Sequence, residues 1–461
     1  MSEAVLLKEN KMGTMPVGKL VISMSLPIMI SMMVQALYNI VDTIFVSRVS
    51  EAALTALSMQ FPIFSLMIAF GVGTSVGMAA LLSRSLGEKN FDRVNKTSTN
   101  GMFLAVCNFI LFFIVGVLLV KPFYRIQTSD MEIVNAGISY STILCSLSFC
   151  MFFQITFERL LQATGKTVYS MITQLVGALV NIALDPILIF GYFGLPKMGV
   201  AGAAVATVIG QFTGAVVGLV LNLKKNKEIN LSLRGFRIEK SVVGDIYKVG
   251  VPTIIMQAIG SLMTLGMNFI LITFSSTAVA VFGVYFRLQS FAFLPCFGLC
   301  NGLVPIISYN YGAQNKKRMI KSAKVGVMMA FTIMIVCTLI FEIFPKQLLS
   351  MFNAEGEMLT LGRSALKIIA IHFPIAAFGI VFGGVFQALG KAVYSMIMSI
   401  CRQLLVLIPS AYVLAKIFGK VEAVWWSFPI AEIVSLIIAV SFMISTYRKI
   451  ISKVGEKTSE V

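Results

Sequence analysis

The sequence predicts an all-α membrane protein with twelve transmembrane helices, arranged as two six-helix bundles related by a pseudo-twofold axis along the membrane normal. Three observations carry this prediction. Hydrophobic residues make up 57% of the 461 residues and charged residues only 12%, whereas soluble domains are roughly 45–50% apolar. Apolar segments of about 20 residues, the length that crosses a bilayer, recur along the chain. Short motifs also repeat between the two halves.

Apolar runs separated by polar residues predict the positions of the helices. In the first half the predicted ranges are 20–47, 54–82, 98–120, 133–154, 167–191 and 199–222. In the second half they are 249–273, 278–308, 321–344, 361–385, 392–415 and 422–446. Several ranges exceed the minimum length for a span, so we expect tilted or kinked helices.

The internal repeat has a constant separation of 225 residues. Pro27 matches Pro252 (252 − 27 = 225), and the segment 162–171 matches 387–396 at the same separation (387 − 162 = 225). Six helices in each half place the starts of both halves on the same side of the membrane, which defines a parallel repeat. Repeats of this kind are typical of transporters that expose a central site to each side of the membrane in turn.

The repeat and the loops together predict the domain organisation. We expect an N-terminal six-helix bundle over 1–222, a basic linker over 223–248 and a C-terminal six-helix bundle over 249–461. The net charge of +17 comes from short loops between apolar segments. Most of these basic residues fall on the side of the N-terminus, so the positive-inside rule predicts that both termini are cytoplasmic. Nucleic acid is therefore not an expected partner.

Common cofactor and enzyme motifs are not found in the sequence. The seven cysteines fall in apolar segments, where they pack as small hydrophobic residues and suggest neither a disulfide framework nor a zinc site. Gly165, Lys166 and Thr167 resemble the end of a phosphate-binding loop, but Leu160 occupies the position of the required first glycine. We therefore expect neither a cofactor nor enzymatic activity.

Two carboxylates at membrane depth form the main candidate site. Asp42 lies in the predicted first helix with Tyr38 four residues before it, and Asp185 lies in the fifth helix with Asn181 four residues before it. Residues four apart share one face of a helix. Because an ionisable residue inside the membrane is costly, we interpret this polar face as a site for H⁺ or Na⁺.

The repeat provides an internal comparison for these two acids. Asp42 matches Met267 and Asp185 matches Ser410, so the second half carries neither carboxylate. A purely architectural role would more naturally persist in both halves, and the sequence therefore predicts ion coupling in the first half. Pro186 lacks an N–H group, which leaves a helix carbonyl oxygen free to bind a cation or water.

Five further residues could act within the membrane. Glu158 suits either a solvated helix end or a substrate cleft. Arg287, Arg402 and Glu432 are expected to pair with one another in preference to acting in transport. His372, the only histidine, favours a packing role, with proton coupling as the alternative.

At this point the sequence resembles the MATE family of multidrug and toxic compound extrusion transporters over essentially its whole length. The resemblance rests on Pro27 with Asp42, on the segment Asn181–Pro186 and on Gly199–Gln211. Phe286-Arg287-Leu288 is similar to the bacterial MepA-like and DinF-like branch.

The resemblance implies a secondary active efflux transporter that exchanges lipophilic cationic compounds for H⁺ or Na⁺. It implies a cation site formed by Tyr38, Asp42, Asn181, Asp185 and Thr207, with Na⁺ held at Asp42, Asn181 and Asp185 if sodium is the coupling ion. It also implies a monomer in the bacterial cytoplasmic membrane, with Glu158 and Arg287 as candidate residues of a substrate cleft. A flippase for lipid-linked precursors, from the same superfamily, is the alternative.

Overall fold

The computed structural model describes residues 9–232 and 236–455. Within these ranges the chain is almost entirely helical and contains no β-strand. A membrane-spanning chain must satisfy its backbone hydrogen bonds internally, and helices do so within one segment. The predicted all-α class is therefore confirmed. The two chain termini lie outside the described residues, so their predicted side of the membrane stays a prediction.

The helices of the first half follow the predicted order. They are α1 (Lys11–Thr14), α2 (Val17–Ser47), α3 (Glu51–Gly87), α4 (Phe91–Leu118), α5 (Val120–Gln127), α6 (Met131–Ser146), α7 (Phe149–Ala163), α8 (Thr167–Phe190) and α9 (Val200–Lys225). Side-chain caps begin several of them: the Ser50 hydroxyl accepts a hydrogen bond from the Ala53 amide at the start of α3, as expected of a good helix N-cap.

The second half repeats this order and contains two π-helical segments, Cys401–Leu407 and Tyr447–Ile451. Its helices are α10 (Lys240–Leu271), α11 (Ser276–Gly312), α12 (Lys316–Ile343), α13 (Pro345–Ser350), α14 (Gly356–Ala370), α15 (Phe373–Ala388), α16 (Ala392–Ile400), α17 (Ile408–Phe418), α18 (Val421–Trp425) and α19 (Ser427–Thr446). A π-helical segment, Cys401–Leu407, joins α16 to α17. Such wide turns are rare and often lie at functional sites.

Ten helices in the described ranges are long and apolar enough to cross a membrane, and two bent pairs raise the number to twelve if each pair is one span. The pairs are α6 with α7, bent by 47°, and α14 with α15, bent by 50°. The predicted fourth helix ended at residue 154, but α7 continues to Ala163. Polar side chains such as Glu158 interrupted the apolar run in sequence, although neighbouring side chains cover them in the fold.

Two compact units are present, and they exchange helix segments. One unit contains Met1–Thr14 and Ile30–Ile254, and the other contains Met15–Met29 and Ile255–Val461. The first part of α2 thus packs with the second half of the chain, and the first part of α10 packs with the first half. Both exchanges end two residues after an in-helix proline, Pro27 or Pro252. These two units are delimited by contacts between residues, whereas the predicted bundles were delimited by the sequence repeat. The predicted boundaries 1–222 and 249–461 therefore remain a prediction.

Paired glycines make the exchange possible in the first unit. Gly73 and Gly77 of α3 face the exchanged part of α10. A Cβ atom added to Gly73 would lie 2.9 Å from the carbonyl oxygen of Gly250, and one added to Gly77 would overlap the carbonyl oxygen of Ile246. Small residues four apart allow two membrane helices to approach at backbone distance.

The second unit contains the same pattern, displaced by the repeat. Gly298 and Gly302 of α11 match Gly73 and Gly77 (298 − 73 = 225). A Cβ atom on Gly298 would lie 2.8 Å from the Cα of Met29, and one on Gly302 would lie 2.9 Å from the Cα of Ser25. The close approach of the exchanged segment is therefore a property of both halves of the repeat.

We predict that Gly77→Ala and Gly302→Ala each lower the thermal stability of the detergent-solubilised protein. Overpacking a close helix contact costs about 1–3 kcal/mol, and each kcal/mol corresponds to roughly 2–4 °C for a unit of this size. Size-exclusion chromatography after stepwise heating measures the change. Gly244→Ala is the matched control, because a Cβ atom there meets nothing within 4 Å. Equal melting temperatures for all three variants would show that the glycines do not set the approach.

Candidate cation site

Asp42 and Asp185 both lie in the first unit and are both withdrawn from solvent. Asp42 is on the part of α2 that stays in this unit and is 9% exposed, while Asp185 on α8 is fully buried. Neither carboxylate takes part in an ion pair within the described ranges. The two charges lie close enough to interact electrostatically. The residues thus share one buried, acidic environment that no arginine or lysine neutralises.

Asn181 links Asp185 to the neighbouring helix α9. Its side-chain Nδ2 lies 3.3 Å from Asp185 Oδ1 and 3.4 Å from Thr207 Oγ1. The i, i+4 spacing on α8 produces the first contact. The second depends on the close packing of α8 and α9, where a Cβ atom on Gly177 would lie 2.9 Å from the carbonyl oxygen of Gly210. The structure thus brings together three of the predicted site residues.

Three buried oxygens at this site have no hydrogen-bond partner among the residues that the structure describes: Asp42 Oδ1, Asn181 Oδ1 and Asp185 Oδ2. Most buried polar atoms in proteins are satisfied, so an excess of unsatisfied acceptors points to a ligand that is positive. Carboxylate and amide oxygens suit a proton or a hard cation such as Na⁺ better than a transition metal. In the part of the chain that the structure describes, no group of three or more His, Cys, Asp or Glu residues could hold a metal ion.

Two tyrosines lie at the same site. Tyr38 of α2 is within electrostatic range of Asp42, Asp185 and Glu158. Tyr140 of α6 is 6% exposed and is within the same range of both aspartates and of Tyr38. Tyr38 was predicted from the sequence, whereas Tyr140 was not. The polar triplet Ser139-Tyr140-Ser141 in the predicted fourth helix was the available signal.

Glu158 lies inside α7, five residues before the helix ends at Ala163. Its side chain is partly buried and accepts a hydrogen bond from Gln154 Nε2 at 3.0 Å. Gln154 also donates to Gln174 Oε1 at 3.3 Å. Glu158 is thus the edge of a polar network near Tyr38, and its role in a substrate cleft stays a prediction.

The second unit carries the remaining intramembrane charges. The expected pairing is confirmed for Arg402 and Glu432, with 3.4 Å between Arg402 Nη1 and Glu432 Oε2. Arg287 is exposed and takes part in no ion pair within the described ranges. His372 is 3% exposed and stacks on Phe428 with 6.0 Å between ring centroids, as expected for a packing residue.

Comparison with known proteins places this chain in one family. The MatE family matches the chain twice, at residues 27–187 and 252–413. The two matches begin 225 residues apart (252 − 27 = 225), which is the separation of the internal repeat. The chain therefore belongs to the MatE family of multidrug efflux transporters, and it is a multipass membrane protein.

Relatives and solved structures agree with this assignment. The chain is 29% identical over 429 residues to the multidrug export protein MepA of Staphylococcus haemolyticus strain JCSC1435, covering 93% of each protein. It is 28% identical over 419 residues to the MepA of Staphylococcus aureus strain MSSA476, covering 90% of this chain and 91% of the relative. A crystal structure of MATE in the straight conformation superposes with a TM-score of 0.89 at 25% identity, covering 97% of this chain and 99% of the other.

We predict that Thr207→Val impairs transport while leaving the fold intact. Valine has nearly the same shape as threonine but cannot accept a hydrogen bond from Asn181 Nδ2. The Asn181 side chain would then be oriented by Asp185 alone. A several-fold lower initial rate of dye efflux from cells with equal protein levels is expected. Thr213→Val is the matched control on α9, because the Thr213 hydroxyl only donates to the carbonyl of Ile209 in its own helix. Equal losses in both variants would contradict the assignment of Thr207 to the site.

Proposed function

We propose that this protein exports lipophilic cationic compounds in exchange for H⁺ or Na⁺ by alternating access. The observation that carries the proposal is the buried pair of Asp42 and Asp185, which within residues 9–232 and 236–455 has no basic partner and retains unsatisfied oxygen atoms. Burial of an uncompensated carboxylate is costly, so the two buried aspartates favour uptake of a cation. A cation that binds one state of the transporter more tightly than another shifts the balance between them.

The available energy is sufficient for active export. Each elementary charge that crosses a membrane potential of 100 mV releases about 2.3 kcal/mol, and a concentration gradient adds to this amount. Release of a bound drug against a tenfold gradient costs about 1.4 kcal/mol. Because the exported compound is itself a cation, a one-for-one exchange moves no net charge, so the concentration gradient of the coupling ion or a second coupling cation per cycle supplies the net energy.

The coupling ion is either a proton or sodium. In the sodium case Asp42, Asn181 and Asp185 would supply the oxygen ligands, with Tyr38 and Thr207 adjacent. In the proton case the two aspartates would share the proton, and Asn181 would hold Asp185 in place. Both cases use the same side chains, so the ion is decided by transport measurements and not by the ligand set.

The names of the relatives support small organic molecules as substrates, since the staphylococcal proteins are multidrug export proteins. They disfavour the flippase alternative. A lipid-linked precursor carries several phosphates and would need many basic residues at membrane depth, whereas Arg287 and Arg402 are the candidates here. We place the protein in the bacterial cytoplasmic membrane as a monomer with both termini in the cytoplasm.

We predict that Asp42→Asn and Asp185→Asn each abolish gradient-driven export of ethidium from proteoliposomes. Asparagine keeps the size of the side chain but can neither carry a proton nor neutralise Na⁺. Ethidium release is followed by fluorescence under an imposed pH gradient or an imposed sodium gradient, each applied separately. The gradient that drives export in the wild type identifies the coupling ion.

Glu132→Gln is the matched control, since Glu132 is an exposed acid near the start of α6. It should transport at the wild-type rate under both gradients. The proposed mechanism is wrong if either aspartate variant retains ion-driven export at a comparable rate.

A further inference from the structure

A short amphipathic helix of the first unit, α5, buries a tyrosine that is not part of the cation site. Val120 and Tyr124 are fully buried, whereas Lys121 and Arg125 are exposed. Residues four apart share one face of a helix, so α5 turns its charged face outward and inserts the Tyr124 side chain into the unit. A buried tyrosine usually finds a partner for its hydroxyl group, and the contacts of that group indicate what the residue does.

The Tyr124 hydroxyl joins two helices. It donates a hydrogen bond to the carbonyl oxygen of Ala56 in α3 at 3.0 Å, and it lies 3.0 Å from the hydroxyl oxygen of Ser141 in α6. Because a phenol has one proton and this proton goes to Ala56, Ser141 is the donor in the second hydrogen bond. All three residues are at most 1% exposed. The hydroxyl group therefore holds α6 against α3 by two buried hydrogen bonds.

Gly137 of α6 makes room for the Tyr124 ring. A Cβ atom added to Gly137 would overlap this ring, so the ring lies directly against the backbone of α6. Gly137 and Ser141 are about one helical turn apart. The ring and the hydroxyl group of Tyr124 thus contact α6 at two successive turns, which fixes the rotation of α6 and its position along its axis.

Ser141 directly follows Tyr140, which faces the cation site. Tyr140 packs in a core cluster that includes Val46 of α2 and Val208 of α9. Val208 is the neighbour of Thr207, whose hydroxyl oxygen lies 3.4 Å from Asn181 at the site. Any rotation of α6 that breaks the contact of Ser141 would therefore also displace Tyr140.

The Tyr140 side chain adds an oxygen atom to the cation site. It is within electrostatic range of both aspartates. Oxygen atoms of Asp42, Asn181 and Asp185 lack a hydrogen-bond partner among the described residues, so the Tyr140 hydroxyl does not satisfy these three atoms. Hard cations prefer oxygen ligands, and a displaced Tyr140 should therefore weaken cation binding.

The repeat preserves the close packing of this contact but not its hydroxyl group. Gly362 of α14 matches Gly137 (362 − 137 = 225), and Leu349 of α13 matches Tyr124 (349 − 124 = 225). A Cβ atom added to Gly362 would lie 2.8 Å from Leu349 Cδ2. A leucine therefore fills the same position in the second unit, and packing alone does not require a tyrosine.

The polar partners are likewise confined to the first unit. Ala365 and Leu366 of α14 match Tyr140 and Ser141 (365 − 140 = 225). Leu349 and Leu366 are each 1% exposed, so the second unit buries two apolar side chains where the first buries a hydrogen-bonded pair. The hydrogen-bonded pair occurs in the unit that carries Asp42 and Asp185.

We propose that Tyr124 is a positioning residue for the cation site: its hydroxyl group fixes α6 so that Tyr140 presents an oxygen atom to the coupling ion. Tyr124 does not contact the ion and acts through Ser141 and the backbone of α6. This inference rests on the proposed function, because it takes Asp42 and Asp185 as the site of the coupling ion.

The test measures the affinity of the detergent-solubilised protein for the coupling ion, without a gradient and without a drug. An ion that binds only the folded protein raises the melting temperature, and the size of this rise at a series of ion concentrations gives the dissociation constant. Sodium chloride is titrated against choline chloride at fixed pH, and pH is titrated without sodium. The same titrations of Asp42→Asn provide the baseline, since that variant lacks one carboxylate of the site.

Tyr124→Phe keeps the ring and removes the hydroxyl group. It should raise the dissociation constant for the coupling ion roughly two- to tenfold, the factor that corresponds to one neutral hydrogen bond. Ser141→Ala should shift it in the same direction. Tyr192→Phe is the matched control, because Tyr192 belongs to the same unit but is 54% exposed, and it should leave the dissociation constant unchanged.

A merely structural role of Tyr124 gives a different result. Tyr124→Phe would then lower the melting temperature equally at every ion concentration, and the dissociation constant would equal that of the wild type. This outcome would overturn the inference. A wild type without any ion-dependent rise in melting temperature would overturn it as well.

A double variant tests whether Tyr124 acts through Tyr140. Tyr140→Phe removes the oxygen atom that α6 presents, so adding Tyr124→Phe to it should raise the dissociation constant no further. Independent effects that multiply in the double variant would contradict the inference. Ethidium export is measured on the same preparations in proteoliposomes. Failure of the wild type to export ethidium would reject the proposed function, whereas the dissociation constants of the variants would still decide the role of Tyr124.

Discussion

The burial of unpaired carboxylates is the constraint on which the rest of this structure depends. Asp42 and Asp185 are buried in a helical unit, and neither forms an ion pair with a basic side chain among the described residues. Burial of a charge in this way is unfavourable unless a cation compensates for it. In the proposed mechanism the packing of α2, α8 and α9 keeps the oxygens together, and the unfavourable burial favours binding of the coupling ion.

The internal repeat shows how one frame can carry two kinds of chemistry. Both units use a pair of glycines to receive a helix segment from the other half of the chain, at positions separated by 225 residues. Close backbone packing therefore persisted in both halves. The polar groups did not persist: among the described residues, Asp42 and Asp185 of the first unit form no ion pair, whereas Arg402 and Glu432 of the second unit pair with each other. The close packing of helices and the choice of polar side chains therefore follow separate constraints in this molecule.

Much of the fold and part of the site could be predicted because lipid imposes simple rules on sequence. Apolar length predicts a span, which was sufficient for the helices. A carboxylate within a span is costly, which singled out Asp42 and Asp185 as candidates. The predicted end of the fourth helix at residue 154 was wrong, because polar side chains inside a bundle interrupt the apolar run without ending the helix. Tyr140 was missed because a tyrosine in an apolar helix has no fixed spacing to residues on α2 and α8.

The sequence by itself determined the membrane class, the repeat and the two acids, since each depends on composition or on spacing along one helix. Only the tertiary structure decided which residues meet. Asn181 reaches Thr207 because Gly177 and Gly210 let α8 and α9 pack closely. Arg402, in the π-helical segment after α16, reaches Glu432 of α19. Contacts between helices depend on how each helix is rotated about its axis and on its position along that axis. The packing of the whole unit decides both, whereas spacing along one helix does not.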